Sequence, residues 1–243
     1  MGCDIHMFAE RKDENMKWHA VKGDDGKIEC FDCGRNYNLF AILADVRNGH
    51  GFAGTPTGTG FDVKYPARGL PSDLSDDLCQ DLESYTDDDD WDHWLGDHSF
   101  SYLTVSEILA LDFNKRSTLT GVISFHEYVK WAYKSGRSTL NSGPDSYCGG
   151  VSGAGVEIVD VCIFKDKYAN LSQDAKRSIV FDRAAKVTPT MMNKKQYATV
   201  SWQETYSNSL KYFFQTTVMP LLSECTSNGL SHDDVRIVFG FDS

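Results

Sequence analysis

The chain has 243 residues, of which 41% are hydrophobic, and a formal net charge of −11. This length and composition predict a single domain over residues 1–243 with a substantial core, and no stretch approaches the roughly eighteen apolar residues of a membrane span. Eleven acidic residues and no Lys or Arg lie between Asp73 and Asp97. Since non-specific nucleic-acid binding requires basic clusters, this charge argues against it. The first residues lack a secretory signal pattern, so we expect a cytoplasmic protein.

Both ends of the chain have the pattern of a β-strand. In residues 1–10 the side chains alternate, and Asp4, His6 and Phe8 share one face. Residues 235–242 are apolar on both faces, which is typical of a strand covered on both sides. We expect these two strands to be neighbours in one sheet, which would bring Asp4 and His6 close to Asp242.

Several elements are predicted between the two terminal strands. Lys17–Val21 reads as a strand in a hairpin with the first strand, and Asn36 as the N-cap of a helix over residues 36–47. Thr104 and Glu107 form a capping box that opens a short helix. Further elements are a strand over 156–164 and helices over 122–134, 172–185 and 207–225, the last of them kinked by Pro220. The fold prediction is α+β, or α/β, with a mixed sheet that contains both terminal strands and is packed by several helices.

A loop-rich acidic insertion is predicted over residues 49–102. It begins with five glycines in the thirteen residues 49–61, a loop whose length suits either a binding segment or a mobile surface loop. No Gly-Lys-Ser/Thr follows, so it is not a Walker loop. The rigid turn Tyr65–Pro71 presents Arg68, and the acidic run closes with aromatic residues, which indicate packing rather than disorder.

One functional hypothesis is a metal-dependent phosphoesterase or nucleotide hydrolase. Asp4 and His6 form half of a site for a divalent metal ion, the one cofactor that the sequence suggests. The metal would generate hydroxide, while Arg47 and Arg68 would hold the anionic group. The predicted catalytic residues are Asp4, His6 and His98, and the predicted metal ligands are Asp4, His6, Asp97 and Asp242.

The second hypothesis is a binding module for a small anionic, nucleotide-like ligand or for a host protein. Arginines would hold the anion and aromatic rings would stack on a base without any cleavage. The predicted ligand-binding residues are Arg47, Arg68, Tyr37, Tyr65, Trp94 and Ser99. The acidic segment could alternatively mimic nucleic acid toward a host enzyme. In a third interpretation Asp4 and His6 are a buried pair that fixes the sheet.

Several segments resemble a family of uncharacterised phage and prophage proteins. They are residues 1–6 (MGCDIH), 37–47 (YNLFAILADVR), 68–71 (RGLP), 98–103 (HSFSYL) and 235–242 (VRIVFGFD). Gly240 departs from the family pattern, in which this residue is bulkier. The resemblance implies a phage origin. Combined with the binding-module hypothesis, it leads us to expect a phage-encoded accessory protein in the host bacterial cytoplasm that counteracts host defence.

Overall fold

A computed structural model of the chain describes residues 2–51, 54–84, 93–135, 143–181 and 195–242. It contains two compact units. The first comprises residues 1–48, 61–115 and 206–243, and the second comprises residues 49–60 and 116–205. The predicted insertion over 49–102 is therefore divided between the units after residue 60, and the single domain over 1–243 stays a prediction.

The first unit contains four of the described strands and six of the described α-helices. The strands are β1 (Ile5–Lys12), β2 (Trp18–Ala20), β3 (His98–Thr104) and β7 (Val235–Phe241). The α-helices are α1 (Tyr37–Ala44), α2 (Asp76–Glu83), α3 (Val105–Leu109), α7 (Tyr206–Ser209), α8 (Lys211–Phe213) and α9 (Met219–Asn228). The α+β prediction is confirmed.

The strands of the first unit form one antiparallel sheet in the order β2-β1-β7-β3. The two terminal strands are its centre, paired from Ile5 opposite Phe241 to Arg11 opposite Val235. Every residue of β7 is buried, as its apolar sequence predicts. The sheet with the terminal strands is antiparallel throughout; mixed pairing occurs in the second unit instead.

Helices and loops cover both faces of this sheet. Phe8 and Val238 pack on one face against Leu78 of α2 and against Leu95. On the other face the ring of Phe40, from α1, meets the ring of Phe241 edge-on at 5.2 Å. Helix α1 begins where the sequence predicts, because the Asn36 side chain accepts hydrogen bonds from the first turn. Thr104 and Glu107 likewise form the predicted capping box of α3.

A buried ion pair joins the two central strands. Glu10 and Arg236 are opposite each other in the register, and Arg236 Nε donates to Glu10 Oε2 at 2.7 Å, with side chains 0% and 4% exposed. The other Glu10 oxygen accepts from the backbone N–H of Ser75, the N-cap of α2. Arg236 Nη1 donates to Asp73 at 2.7 Å, and the guanidinium lies 3.9 Å from the Trp18 ring centroid. One charge pair thus fixes the strand register and the start of α2.

Replacing Arg236 by Met should lower the free energy of unfolding by about 3–5 kcal/mol, because Glu10 would keep a buried charge without its partner. Arg11→Met is the matched control, since Arg11 directly follows Glu10 on β1 but is partly exposed and pairs with Glu224. It should cost less than about 1 kcal/mol. Urea unfolding measures both; equal losses would contradict a dominant role for the buried pair.

The second unit contains β4 (Arg116–Ser124), α4 (Phe125–Ser135), β5 (Val156–Val159), α5 (Val161–Ala169), α6 (Gln173–Phe181) and β6 (Lys195–Thr205). Its sheet has the order β4-β6-β5, in which β4 pairs antiparallel and β5 parallel to the central β6. Backbone groups of the Gly-rich loop bind along β4: Thr59 N–H donates to Thr118 O, and Thr120 N–H donates to Thr57 O. The N–H of Thr59 and the C=O of Thr57 are therefore hydrogen-bonded to β4.

Two boundary predictions in this unit are wrong. The predicted helix over 122–134 begins at Phe125, because Val122 and Ile123 belong to β4. The predicted strand over 156–164 ends at Val159, where Asp160 caps helix α5 through the N–H of Cys162. Short apolar runs fit a strand and a buried helical turn equally well, so only the local cap decides between them.

The predicted helix over 207–225 is broken into α7, α8, a π-helical turn at Phe214–Val218, and α9. Pro220 lies in the first turn of α9. Its ring would clash with the carbonyl four residues earlier, at Thr216, and the wider π turn accommodates this. The predicted kink thus takes the form of a π turn before the proline. In the described part of the chain no helix has the length and apolar character needed to span a membrane.

Candidate functional site

The pairing of β1 with β7 brings Asp4, His6 and Asp242 together at one end of the first unit's sheet. Asp4 N–H donates to Asp242 Oδ1 at 2.6 Å, and Asp242 N–H donates to Asp4 O at 3.2 Å. The second Asp242 oxygen lies 3.5 Å from His6 Nε2. Two carboxylates opposite each other on paired strands repel, so this arrangement requires cationic partners nearby.

Arg35 supplies that charge, although it is not among the site residues predicted from the sequence. Its Nε donates to Asp4 Oδ1 at 2.7 Å, and its Nη2 donates to Asp4 Oδ2. This bidentate contact lowers the pKa of Asp4 and raises that of Arg35. The sequence does contain one indication of a role for Arg35. It directly precedes the N-cap Asn36, where a cation interacts unfavourably with the helix dipole, so its position there requires another explanation.

Gly2 provides the surface on which the Arg35 guanidinium lies. A Cβ atom on Gly2 would be 2.9 Å from Arg35 Nη1, so a side chain there would push the guanidinium away. The Arg35 and Asp4 side chains remain 54% and 40% exposed. The ion pair is consequently accessible from solvent while its geometry is fixed.

Arg47 belongs to the same group of residues. Its Nη2 lies 3.5 Å from the carbonyl oxygen of Gly2, and its guanidinium lies 5.8 Å from the Tyr37 ring centroid. Burial raises the pKa of the Cys3 thiol, although the nearby Arg47 acts to lower it. The backbone of Arg47 has φ 55°, a left-handed conformation that is uncommon for a residue other than Gly, Asn or Asp.

The segment 94–97 packs against His6 and the end of β7. The ring of Trp94 is tilted against that of His6, with 4.8 Å between centroids. This segment crosses β7 so closely that a Cβ on Gly240 would meet Leu95 O at 2.2 Å, and a Cβ on Gly96 would meet Phe241 O at 2.4 Å. Gly240 is therefore required by the backbone that crosses over it.

His98 and Ser99 begin strand β3, and Asp97 directly precedes it. His98 Nδ1 lies 2.9 Å from Ser99 Oγ, and the His98 ring stacks on Phe241 with 6.0 Å between centroids. Asp97 is tied to the same strand end because its N–H donates to Phe241 O. Ser99 has φ 53° at an irregularity in the pairing of β3 with β7. Such bulges frequently redirect side chains near functional sites.

Arg68 and Tyr65 lie near strand β3 and helix α3. The Arg68 guanidinium makes a bidentate ion pair with Glu107, donates to Tyr102 O, and stacks 4.1 Å from the Tyr102 ring centroid. Tyr65 packs beside it. Tyr102 is on β3, which is separated from β1 by β7. Glu107 and Tyr102 engage the Arg68 guanidinium, and the anion clamp that Arg68 would share with Arg47 stays a prediction.

The predicted metal ligands are brought near each other, but they face other partners. Asp4 binds Arg35, Asp242 binds the backbone of Asp4 and contacts His6, and Asp97 Oδ1 is 3.9 Å from His98 Nε2. Across the described ranges no three His, Cys, Asp or Glu side chains are grouped so that they could hold a metal ion. The assignment of these residues as metal ligands stays a prediction.

Cationic residues neutralise much of the described acidic segment. Asp73 binds Arg236, Asp76 binds Lys17, and Asp77 lies 3.6 Å from Lys22. Asp81 lies 2.9 Å from His93. Asp87–Asp90 and Asp92 fall outside the described residues. The described acids are thus mainly anchors of α2 and the loop before it.

Comparison with known proteins gave no match: no family model, no curated protein and no solved structure is similar to the chain. The resemblance to phage proteins accordingly stays a prediction, and the function must be inferred from the geometry of the site.

The Asp4–Arg35 pair predicts a pH dependence. Arg35 holds the folded-state pKa of Asp4 below its ordinary value of 3.8, so the pair stabilises the fold above that value and its contribution disappears as the pH falls through the lowered pKa. In Arg35→Met the pKa of Asp4 should return toward its ordinary value, whereas Arg11→Met should leave it unchanged. Titration of the Asp4 carboxyl carbon by NMR measures this; an unchanged pKa in Arg35→Met would show that the pair does not form.

Proposed function

We propose that the chain binds a small anionic, nucleotide-like ligand where β1 begins and β7 ends. The observation that carries this proposal is the position of Arg35. Its bidentate contact with Asp4 uses Nε and Nη2, and among the described residues no acceptor binds Nη1. Arginine has five N–H donors in a planar fork, so a guanidinium already fixed by one carboxylate can accept a second anion at low entropic cost.

The surrounding residues support an anion with an attached ring system. Arg47 lies beside the same Gly2 backbone as Arg35 and provides a second guanidinium. The partly exposed rings of Tyr37 and Trp94 flank the group from α1 and from the segment over β7. Arginine pairs recognise phosphate through bidentate hydrogen bonds, and aromatic rings stack on bases. Together these groups favour a nucleotide-like ligand over a simple anion.

The acidic segment favours a small ligand over mimicry of nucleic acid. A nucleic-acid mimic needs a face of unpaired negative charge, but within the described residues Asp73, Asp76 and Asp77 are paired with Arg236, Lys17 and Lys22. A phage accessory role in the host bacterial cytoplasm, directed at host defence, is part of the same proposal. It is supported by the sequence resemblance alone.

The proposal predicts binding that depends on both arginines. Thermal-shift and calorimetric titrations with ADP-ribose, cyclic di-AMP and ATP should identify a probe that raises the melting temperature by mass action. Charged hydrogen bonds contribute about 1.5–3 kcal/mol, so Arg35→Ala and Arg47→Ala should each weaken that probe about tenfold to a hundredfold. Arg11→Ala should leave its affinity unchanged. Binding that persists in the Arg35→Ala/Arg47→Ala double variant would refute the proposed site.

Asp4→Asn separates ligand binding from the alternative of a metal-dependent phosphoesterase. Because the Asp4 carboxylate repels a second anion on the Arg35 guanidinium, while Asn keeps an acceptor oxygen for Arg35 Nε, Asp4→Asn should strengthen binding of the probe severalfold. A metal-dependent hydrolase that uses Asp4 and His6 requires the opposite, since Asp4→Asn would remove a metal ligand and abolish turnover. Calorimetry on Asp4→Asn, with product analysis in Mg²⁺ and Mn²⁺, measures both. Weaker binding together with lost hydrolysis would favour the enzyme.

A further inference from the structure

The second unit contains a cavity of about 710 Å³ that is separate from the residues discussed above. Three elements of that unit form it: α4, the first turns of α5, and β6. Its volume falls within the range of about 300–1,000 Å³ that is typical of small-molecule sites.

An apolar corner forms one side of this cavity. Tyr128 and Trp131 lie one turn apart on α4, and their rings meet at 82° with 6.2 Å between centroids. Tyr128 is 7% exposed and Trp131 is partly exposed. Val161, at the start of α5, adds a branched aliphatic surface. Two perpendicular rings beside an aliphatic side chain form a surface that suits a flat, apolar ligand.

The other side of the cavity is polar and carries a positive charge. Thr199 and Ser201 project from the same exposed face of β6, because side chains two residues apart share a face. Lys165 lies one helical turn after Val161 on α5 and lines the same cavity. Of the described residues, none has a carboxylate within ion-pair distance of Lys165. A lysine beside hydroxyl groups, without such a partner, provides a site for an anion.

We propose that this cavity binds a small planar aromatic anion, with its ring system against Trp131 and Tyr128 and its acid group on Lys165 and the β6 hydroxyl groups. The aromatic rings and Lys165 line different sides of the cavity, so a ligand that contacts both must carry a ring system and an acid group. A neutral aromatic compound would not use the charge of Lys165, and an inorganic anion would leave the rings in contact with water. This site is independent of the proposed function of the first unit.

The probe pair that tests this site is 8-anilinonaphthalene-1-sulfonate and its uncharged analogue N-phenyl-1-naphthylamine, titrated into the full chain and followed by fluorescence. Lys165→Ala should weaken the sulfonate at least tenfold and leave the neutral analogue within twofold. Trp131→Ala should weaken both probes at least tenfold. Lys167→Ala is the matched control, because Lys167 is on the same helix but is bonded to Gln196, and it should change neither affinity.

Three results would overturn the proposal. One is equal weakening of the sulfonate by Lys165→Ala and Lys167→Ala, which indicates diffuse charge attraction. Another is unchanged binding of both probes in Trp131→Ala. The third is loss of sulfonate binding in the Arg35→Ala/Arg47→Ala variant but not in Lys165→Ala, which assigns the probe to the first unit. Lys165 is exposed, so its variant should fold and keeps the test decisive if Trp131→Ala does not.

Discussion

The antiparallel pairing of β1 with β7 is the constraint on which the first unit depends. These strands come from opposite ends of the chain, and both lie between layers of apolar side chains. Because side chains alternate along a strand, a register shift of one residue would move Phe8 and His6 to the face that α1 covers. Burial on both faces therefore does more than stabilise the sheet: it determines which polar residues meet at its end.

Two ion pairs at opposite ends of β1 show how burial changes the role of a charge. Glu10 and Arg236 are almost fully buried, so their contact specifies the register and would be costly to break. Asp4 and Arg35 form a bidentate contact but remain about half exposed. Solvent screening makes the second pair weak as a stabilising element. The same exposure leaves the remaining donors of Arg35 accessible to an incoming anion, which is why the functional proposal rests on this end of the strand.

The sequence predicts the elements whose causes are local or periodic. The pairing of the termini follows from their apolar patterns, and the starts of α1 and α3 follow from Asn36 and from the capping box at Thr104. Arg35 could not be assigned to Asp4 in this way, because thirty-one residues separate them and only tertiary packing brings them together. The contact of Arg68 with Glu107 could not be assigned for the same reason, because thirty-nine residues separate them. The boundaries in the second unit were wrong where a short apolar run fitted both a strand and a helix.

The register of β1 against β7 can be measured directly by NMR. Asp242 N–H donates to Asp4 O across the two strands, and Met7 O accepts from Phe31 N–H on the opposite edge of β1. Met7 and Phe239 should therefore form a non-hydrogen-bonded pair, in which the Cα atoms lie about 4.5 Å apart and the α-protons face each other. A strong nuclear Overhauser effect is expected between the α-protons of Met7 and Phe239. A cross-peak from Met7 to Val238 or Gly240 in its place would contradict the register and, with it, the meeting of Asp4 and Asp242.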